Sequence, residues 1–187
     1  MPENMERTPL LEIEGLKKYY PIEAGISKKK IGEVKAVDNV NLTIYKNEVL
    51  GVVGESGCGK TTLGRTVLRI IEPTDGKVKF HFDGKEIDFT ALDKKELRQM
   101  RRHLQMIFQN PYTSLNPRMT IFDIVAEPMR LGGGFTEDEI SERVKTLINK
   151  VGLEVKHLNR YPHAFSGGQR QRIGIARALV MDPQFVV

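Results

Sequence analysis

The residues best suited to chemistry form one glycine-rich stretch. Gly54, Glu55, Ser56, Gly57, Cys58, Gly59, Lys60 and Thr61 fill every fixed position of the pattern G-x-x-x-x-G-K-[ST], and Thr62 follows them. Glycines let a backbone wrap around phosphate, and the N–H groups of a helix start point at the anion. We expect Lys60 to reach the β- and γ-phosphates, Thr61 to bind Mg²⁺, and Thr62 to reach the α-phosphate. The stretch predicts a nucleotide site.

Two flanking elements must position this loop. Residues 49–53 form a short apolar run that is suited to a buried parallel strand. Residues 61–71 repeat apolar side chains at helical spacing. The sequence therefore predicts a strand, the loop and a helix in that order.

A second candidate group is Gln109, at the end of the predicted strand 104–108. Parallel α/β sheets place ligand contacts at the carboxyl ends of their strands. Gln109 could bind Mg²⁺ or orient a water molecule, although a glutamine at a strand end is more often structural. Its functional interpretation depends on the motif that follows downstream.

A third candidate group comprises Ser166, Gly167, Gly168 and Gln169, ahead of an apolar-periodic stretch at 173–181. Ser166 can cap a helix together with Gln169 three residues later. The two glycines allow close backbone approach to a phosphate. We therefore predict a second anion-binding helix start, with an ordinary capped helix as the alternative.

Further signals predict an antiparallel sheet and a helical lobe. A strand beginning at Leu11 is expected to end at Pro21, a loop is expected at 27–30, and Asp83-Gly84 predicts a hairpin. Residues 93–102 predict a helix. Another begins at Thr120, and a third begins at a capping box of Thr136 and Glu139 and stops at Gly152.

Composition bounds the class of protein. The 187 residues suit one domain, and the net charge of +5 suits a nucleotide, a nucleic acid, an anionic membrane or only a solvated surface. A single cysteine excludes an intramolecular disulfide and favours a reducing compartment. We expect no membrane span and no secretion signal, because residues 1–7 lack an apolar segment and no run approaches 18 apolar residues.

The order of these motifs resembles that of the ATP-binding-cassette (ABC) ATPases. In that family, residues 54–62 match the Walker A loop, Gln109 the Q-loop, and residues 166–169 the signature. Tyr20 best matches the aromatic residue that stacks on adenine, with Tyr19 as the alternative. Residues 109–119 and 161–166 look like phrases of the dipeptide and oligopeptide importer branch, and importers of nickel and other solutes share similar phrases. The resemblance extends from about residue 10 to 187.

The resemblance implies a fold and a set of ligands. It implies an α/β P-loop NTPase core with an antiparallel β subdomain over about 10–111, a helical lobe over about 112–160, and the signature helix with the start of the Walker B strand over 161–187. The implied cofactors are ATP and Mg²⁺, with Thr61 and Gln109 as metal ligands. ATP would contact the Walker A residues, Tyr20, Gln109 and the signature residues.

The resemblance also implies a function. It points to an ATPase subunit that powers peptide import, paired head to tail with a second ATPase subunit and bound to transmembrane permease subunits at the cytoplasmic face of the membrane. No nucleic acid is expected as a partner. The alternatives are a nucleotide-binding fragment that hydrolyses nothing and a cassette ATPase that acts on nucleic acid or ribosomes.

One part of the family pattern is not found. The Walker B aspartate, the catalytic glutamate and the switch histidine have no match, and we expect His81, His103, His157 and His163 to be structural or superficial. The expectation is a C-terminally incomplete domain with no catalytic residue of its own, a supporting role for Gln109, and little hydrolysis alone. A strand near Phe185 is expected to lie beside the phosphate-loop strand.

Overall fold

The computed structural model describes residues 8–25 and 29–187, so the predictions for residues 1–7, Ser27 and Lys28 lie outside it. The chain divides into two compact units, one ending at Lys94 and the other beginning at Lys95. The strands are β1 (Pro9–Ala24), β2 (Lys29–Tyr45), β3 (Asp75–Phe82), β4 (Lys85–Asp88), β5 (Leu104–Gln105) and β6 (Phe185–Val186). The α-helices are α1 (Lys60–Val67), α2 (Lys94–Met100), α3 (Pro111–Ser114), α4 (Ile121–Gly132), α5 (Glu137–Lys150) and α6 (Gly167–Leu179). Two single-turn 3-10 helices cover Val155–His157 and Pro162–Ala164.

The first unit is built on an antiparallel sheet in the order β2-β1-β3-β4. Leu11 of β1 pairs with Ile44 of β2 and Phe80 of β3, and all three side chains are buried. The predicted hairpin at Asp83-Gly84 is confirmed, since both residues have positive φ, 48° and 73°, as a two-residue turn of this kind requires.

Strand β1 does not end at Pro21 as predicted but continues to Ala24. Beyond Lys17 its described pairing is with β2 only, and Pro21 lies opposite Glu33. A two-stranded ribbon leaves each strand an unpaired edge, where the missing N–H of a proline is tolerated. The predicted loop is also partly wrong, because Lys29 and Lys30 belong to β2.

The strand predicted at residues 49–53 is absent. These residues have no regular structure, and Val49 and Val53 are 99% and 94% exposed. An apolar run becomes a strand only where other strands pair with its backbone, and neither described sheet includes it. The helix after the loop is also shorter than predicted, because Arg69 adopts a left-handed φ of 49°.

The second unit buries an apolar core among its helices. The helix predicted from Thr120 is confirmed, and Thr120 caps it by accepting the Asp123 N–H. The predicted capping box of Thr136 and Glu139 is also confirmed. Gly152, where the helix was predicted to stop, follows the end of α5 and has a positive φ of 72°. The core includes Leu115, Ile121, Ile124, Val125, Met129, Ile140, Val144, Ile148, Phe165, Ile173, Ala176 and Val180.

The parallel pair β5 and β6 is smaller than predicted. Only Leu104 and Gln105 of the expected strand 104–108 are strand, although the Ile107 N–H continues the pairing to the Val187 carbonyl at 2.8 Å. Phe185 pairs with Leu104, so its expected position beside a phosphate-loop strand is wrong. The second difference follows from the absence of a strand at 49–53.

Candidate nucleotide-binding site

Glycines hold the phosphate loop close to the sheet. Gly57 and Gly59 have φ values of 83° and 95°, which side-chain-bearing residues rarely adopt. A Cβ on Gly59 would lie 2.1 Å from the carbonyl oxygen of Ala36 in β2, whereas open space surrounds Gly57. The base of the loop is therefore packed against β2, whereas the space beside Gly57 is open.

Lys60 occupies the mouth of the loop. Its ammonium group donates to the carbonyl oxygens of Gly54 and Glu55 at 2.8 and 2.6 Å, and lies 3.5 Å from the Cys58 sulfur. The backbone of residues 54–58 thus bends around one cation. A phosphate oxygen entering the loop can replace a carbonyl as the partner of this cation.

Helix α1 begins without a side-chain cap. Gly59 supplies no cap hydrogen bond, and the first turn contains no acidic residue. The N–H groups of a first turn have no partner inside the helix and carry partial positive charge. Thr61 is exposed and Thr62 half-buried in this turn. The arrangement suits an anion with several oxygen atoms.

The two candidate tyrosines differ in what they already contact. The Tyr19 hydroxyl donates to the Asp38 carboxylate, which raises the pKa of Tyr19 to about 12 and lowers the pKa of Asp38. Tyr20 is 38% exposed, with the Lys18 ammonium 5.1 Å from its ring centroid. Tyr20 pairs with Val34, two residues before the Ala36 carbonyl that touches the loop.

Gln109 lies in the second unit, in an exposed bend after β5. The next residue, Asn110, caps α3 by accepting the Tyr112 N–H at 2.9 Å. Asn110 and α3 therefore fix the chain directly behind Gln109. The amide of Gln109 remains exposed to solvent.

The predicted cap of the signature helix is confirmed. Ser166 Oγ accepts the Gln169 N–H at 3.3 Å, and Gln169 Oε1 accepts the Ser166 N–H at 2.9 Å. Gly167 is half-buried and Gly168 is exposed. The serine and glutamine therefore satisfy each other, while the glycine N–H groups are left to other acceptors.

The sequence assigned no individual role to three residues of the second unit, which are Tyr112, Arg170 and Arg177. Arg170 lies over the ring of Tyr112, and Arg177 donates to the Ser114 carbonyl. The two arginines gave only a weak signal in the sequence, because arginines seven residues apart on a helix usually belong to its solvent-exposed face.

The structure brings residues 54–62 together in one loop and helix start, and Tyr20 lies in the same unit. Gln109 and residues 166–169 lie in the other unit. No group of three or more histidine, cysteine, aspartate or glutamate side chains could hold a metal ion among residues 8–25 and 29–187. None of the described helices combines the length and apolar character needed to cross a bilayer.

The four histidines have structural contacts, as expected. His81 contacts Glu12, His103 contacts Arg102, His157 contacts Phe165, and His163 contacts Tyr161.

Comparison with known proteins identifies the family. The model of the ABC transporter family matches residues 37–187. The chain belongs to the ABC transporter family. It is 48% identical over 179 residues to the oligopeptide transport ATP-binding protein AppF of Bacillus subtilis strain 168, covering 95% of this chain and 53% of that protein. It is 47% identical over 182 residues to the dipeptide transport ATP-binding protein DppF of Haemophilus influenzae, covering 97% of this chain and 54% of that protein. The chain spans about half the length of the curated relatives it matches.

Solved ABC cassettes share the fold. The ATP-binding cassette MJ0796, in a dimeric post-hydrolysis state bound to ADP and Pi, superposes with a TM-score of 0.79 at 29% identity, covering 95% of this chain and 72% of that one. CbiO1 from Clostridium perfringens gives 0.72 at 27% identity, covering 96% of this chain and 64% of that one. The predicted fold class, a P-loop ABC ATPase with an antiparallel sheet and a helical part, is confirmed.

Proposed function

We propose that this chain provides ATP binding to an importer of dipeptides and oligopeptides, in a subunit that couples ATP binding and hydrolysis to transport. The observation that carries the proposal is the glycine loop with Lys60 in its mouth and an uncapped helix behind it. The names of its relatives supply the class of transported solute.

At the nucleotide, the loop exchanges its internal contacts for phosphate contacts. Lys60 leaves the carbonyl oxygens of Gly54 and Glu55 for the β- and γ-phosphates, and the first-turn N–H groups of α1 bind the same oxygens. Tyr20 stacks on adenine. The exposure of the Tyr20 ring and the engagement of the Tyr19 hydroxyl by Asp38 both favour Tyr20.

We also propose Mg²⁺ as a cofactor, with Thr61 and Gln109 as its ligands. The Thr61 hydroxyl and the Gln109 side-chain carbonyl are hard oxygen ligands of the kind Mg²⁺ prefers. A Mg²⁺ ion held by these residues would supply charge that neutralises the phosphates. Gln109 has a supporting role in hydrolysis, through the metal or the attacking water.

Two subunits act together in this proposal. The Ser166–Gln169 helix start of one subunit faces the nucleotide held by the phosphate loop of the other, in a head-to-tail pair. The dimeric state of MJ0796, a cassette of the same fold, supports the pairing of two subunits, and the head-to-tail arrangement is part of the proposal. Membrane permease subunits bind the pair at the cytoplasmic face, and nucleic acid is no partner.

Peptide uptake in cells tests the function. Deleting the gene in its own organism should abolish uptake of a labelled tripeptide, and the gene carrying Lys60→Ala should fail to restore it. Lys46→Ala is the matched control, since Lys46 is an exposed lysine in the turn after β2, and it should restore uptake fully.

The solute must be checked separately from the ATPase. Uptake of nickel ions by the same strains should be unchanged. Normal peptide uptake in the deletion strain, with loss of nickel uptake instead, would overturn the peptide assignment while keeping the nucleotide site.

A further inference from the structure

Two arginines of the signature helix α6 contact the short helix α3 that follows Gln109. Arg170 and Arg177 are seven residues apart on α6, about two turns, so both project from one face. Both contact α3, the single turn that begins two residues after Gln109.

Arg170 joins two segments with one side chain. Its guanidinium carbon is 4.5 Å from the ring centroid of Tyr112, which suits a cation–π contact. Its Nε donates to the Phe165 carbonyl at 3.0 Å, just before the cap residue Ser166. The same group therefore holds α3 and the start of the signature helix.

Arg177 holds the other end of α3. One terminal nitrogen donates to the carbonyl of Ser114, the last residue of α3, at 2.6 Å. Arg177 is half-buried, and burial lowers the pKa of its guanidinium group. A partly buried cation is tolerated when its donors find acceptors, so this hydrogen bond ties α3 firmly to α6.

Tyr112 also touches the signature turn directly. A Cβ on Gly167 would lie 3.3 Å from the Tyr112 hydroxyl oxygen, so the glycine leaves room for the ring. The tyrosine is otherwise 63% exposed. It is thus a surface side chain held in place by α6.

We propose that Arg170 and Arg177 are positioning residues that make α3 move with the signature helix as one body. Gln109, attached to α3 through Asn110, then keeps a fixed relation to Ser166. The inference rests on the proposed function only in treating Gln109 and Ser166 as nucleotide-contacting groups. The mechanical link exists without nucleotide.

Hydrogen–deuterium exchange on the full chain without nucleotide tests the link. Arg170→Leu should raise exchange of the amides at 112–116 about threefold or more, because the contact that holds α3 closed is lost. Arg172→Leu is the matched control on the same helix, since Arg172 donates to the carbonyls of Val151 and Gly152 instead. It should leave 112–116 unchanged.

A change on α3 should also affect the start of α6 if the two helices are coupled, and this effect distinguishes coupling from a purely local role of Arg170. Tyr112→Leu should raise exchange at 165–169 although Arg170 keeps its backbone bonds, while Tyr112→Phe keeps the ring and should match the parent. The double variant Arg170→Leu/Tyr112→Leu should exchange at 112–116 no faster than the Arg170 variant alone.

Three results would overturn the proposal. In the first, Arg170→Leu raises exchange only at 163–168. In the second, Tyr112→Leu leaves 165–169 unchanged. In the third, α5 opens together with α3, which would make the helices one cooperative unit. Failure of the nucleotide assignment would appear instead as ATP binding that is insensitive to Lys60→Ala, with the exchange link intact.

Discussion

The two glycine-rich helix starts of this chain satisfy their first turns in opposite ways. At α6, Ser166 and Gln169 cap each other without a ligand, and the cap leaves the Gly167 and Gly168 N–H groups to other acceptors. At α1, Gly59 offers no side-chain cap, and the cation of Lys60 is held by the loop's own carbonyls. The start of α6 is therefore capped by its own side chains. At the start of α1, the Lys60 cation is held by backbone carbonyls of the loop.

At α1, an anion is needed to give the first-turn N–H groups acceptors. At α6, the side-chain cap forms whether or not an anion binds. An anion at α1 supplies acceptors for the N–H groups of the first turn and can replace the loop carbonyls as the partner of Lys60. An anion at α6 adds contacts to glycine N–H groups in a turn that already holds its shape. We therefore expect the larger consequences of mutation and of nucleotide at α1.

The largest effect on stability is expected at the base of the α1 loop. Gly59→Ala adds a Cβ that overlaps the Ala36 carbonyl oxygen and forces alanine into a positive φ. We expect a loss of about 2–4 kcal/mol in the free energy of unfolding. Urea denaturation followed by circular dichroism measures it.

Gly57→Ala is the control for that substitution. Gly57 has a similar φ but open space around it, so only the backbone strain of about 1–2 kcal/mol applies. Equal losses for the two variants would mean that contact with β2 does not fix the loop.

A smaller effect is expected at the capped start of α6. Ser166→Ala should cost about 1 kcal/mol, because the Gln169 N–H loses its acceptor. Thr136→Ala removes the equivalent cap of α5 and should cost the same. A Ser166→Ala variant as stable as the parent in urea would contradict a self-sufficient α6 start.

The smallest effect is a change in labelling rate at Cys58. This thiol is exposed, lies beside Lys60 and is the only cysteine of the sequence, so alkylation reports on the loop alone. Saturating ATP should slow alkylation several-fold by covering the loop. Mass spectrometry of the labelled chain gives the rate, and an unchanged rate at saturation would place the phosphates elsewhere.

Local signals in the sequence predicted local structure well. The caps at Thr136 and Ser166 and the hairpin at Asp83-Gly84 depend on residues within four positions of each other, so their spacing was sufficient. The phosphate loop belongs to this class, because the positions of its glycines and lysine specify its shape.

Non-local contacts explain what the sequence could not predict. Residues 49–53 have the composition of a strand, but strand formation depends on neighbours that no local pattern specifies. Helix α1 ends early at a left-handed Arg69, whose guanidinium donates to the distant carbonyls of Phe89 and Leu92. The cation–π contact between Arg170 and Tyr112 likewise joins residues that are far apart in sequence.

The ATP affinities of three chains, measured side by side by calorimetry, test the contrast between the two helix starts. Lys60→Ala should weaken ATP binding by about tenfold or more, since a charge-assisted hydrogen bond contributes about 1.5–3 kcal/mol. Ser166→Ala should keep the affinity of the parent chain within about twofold, because its turn is not the one that lacks partners. Unchanged affinity in Lys60→Ala, or a greater loss in Ser166→Ala than in Lys60→Ala, would contradict the assignment of the phosphates to α1.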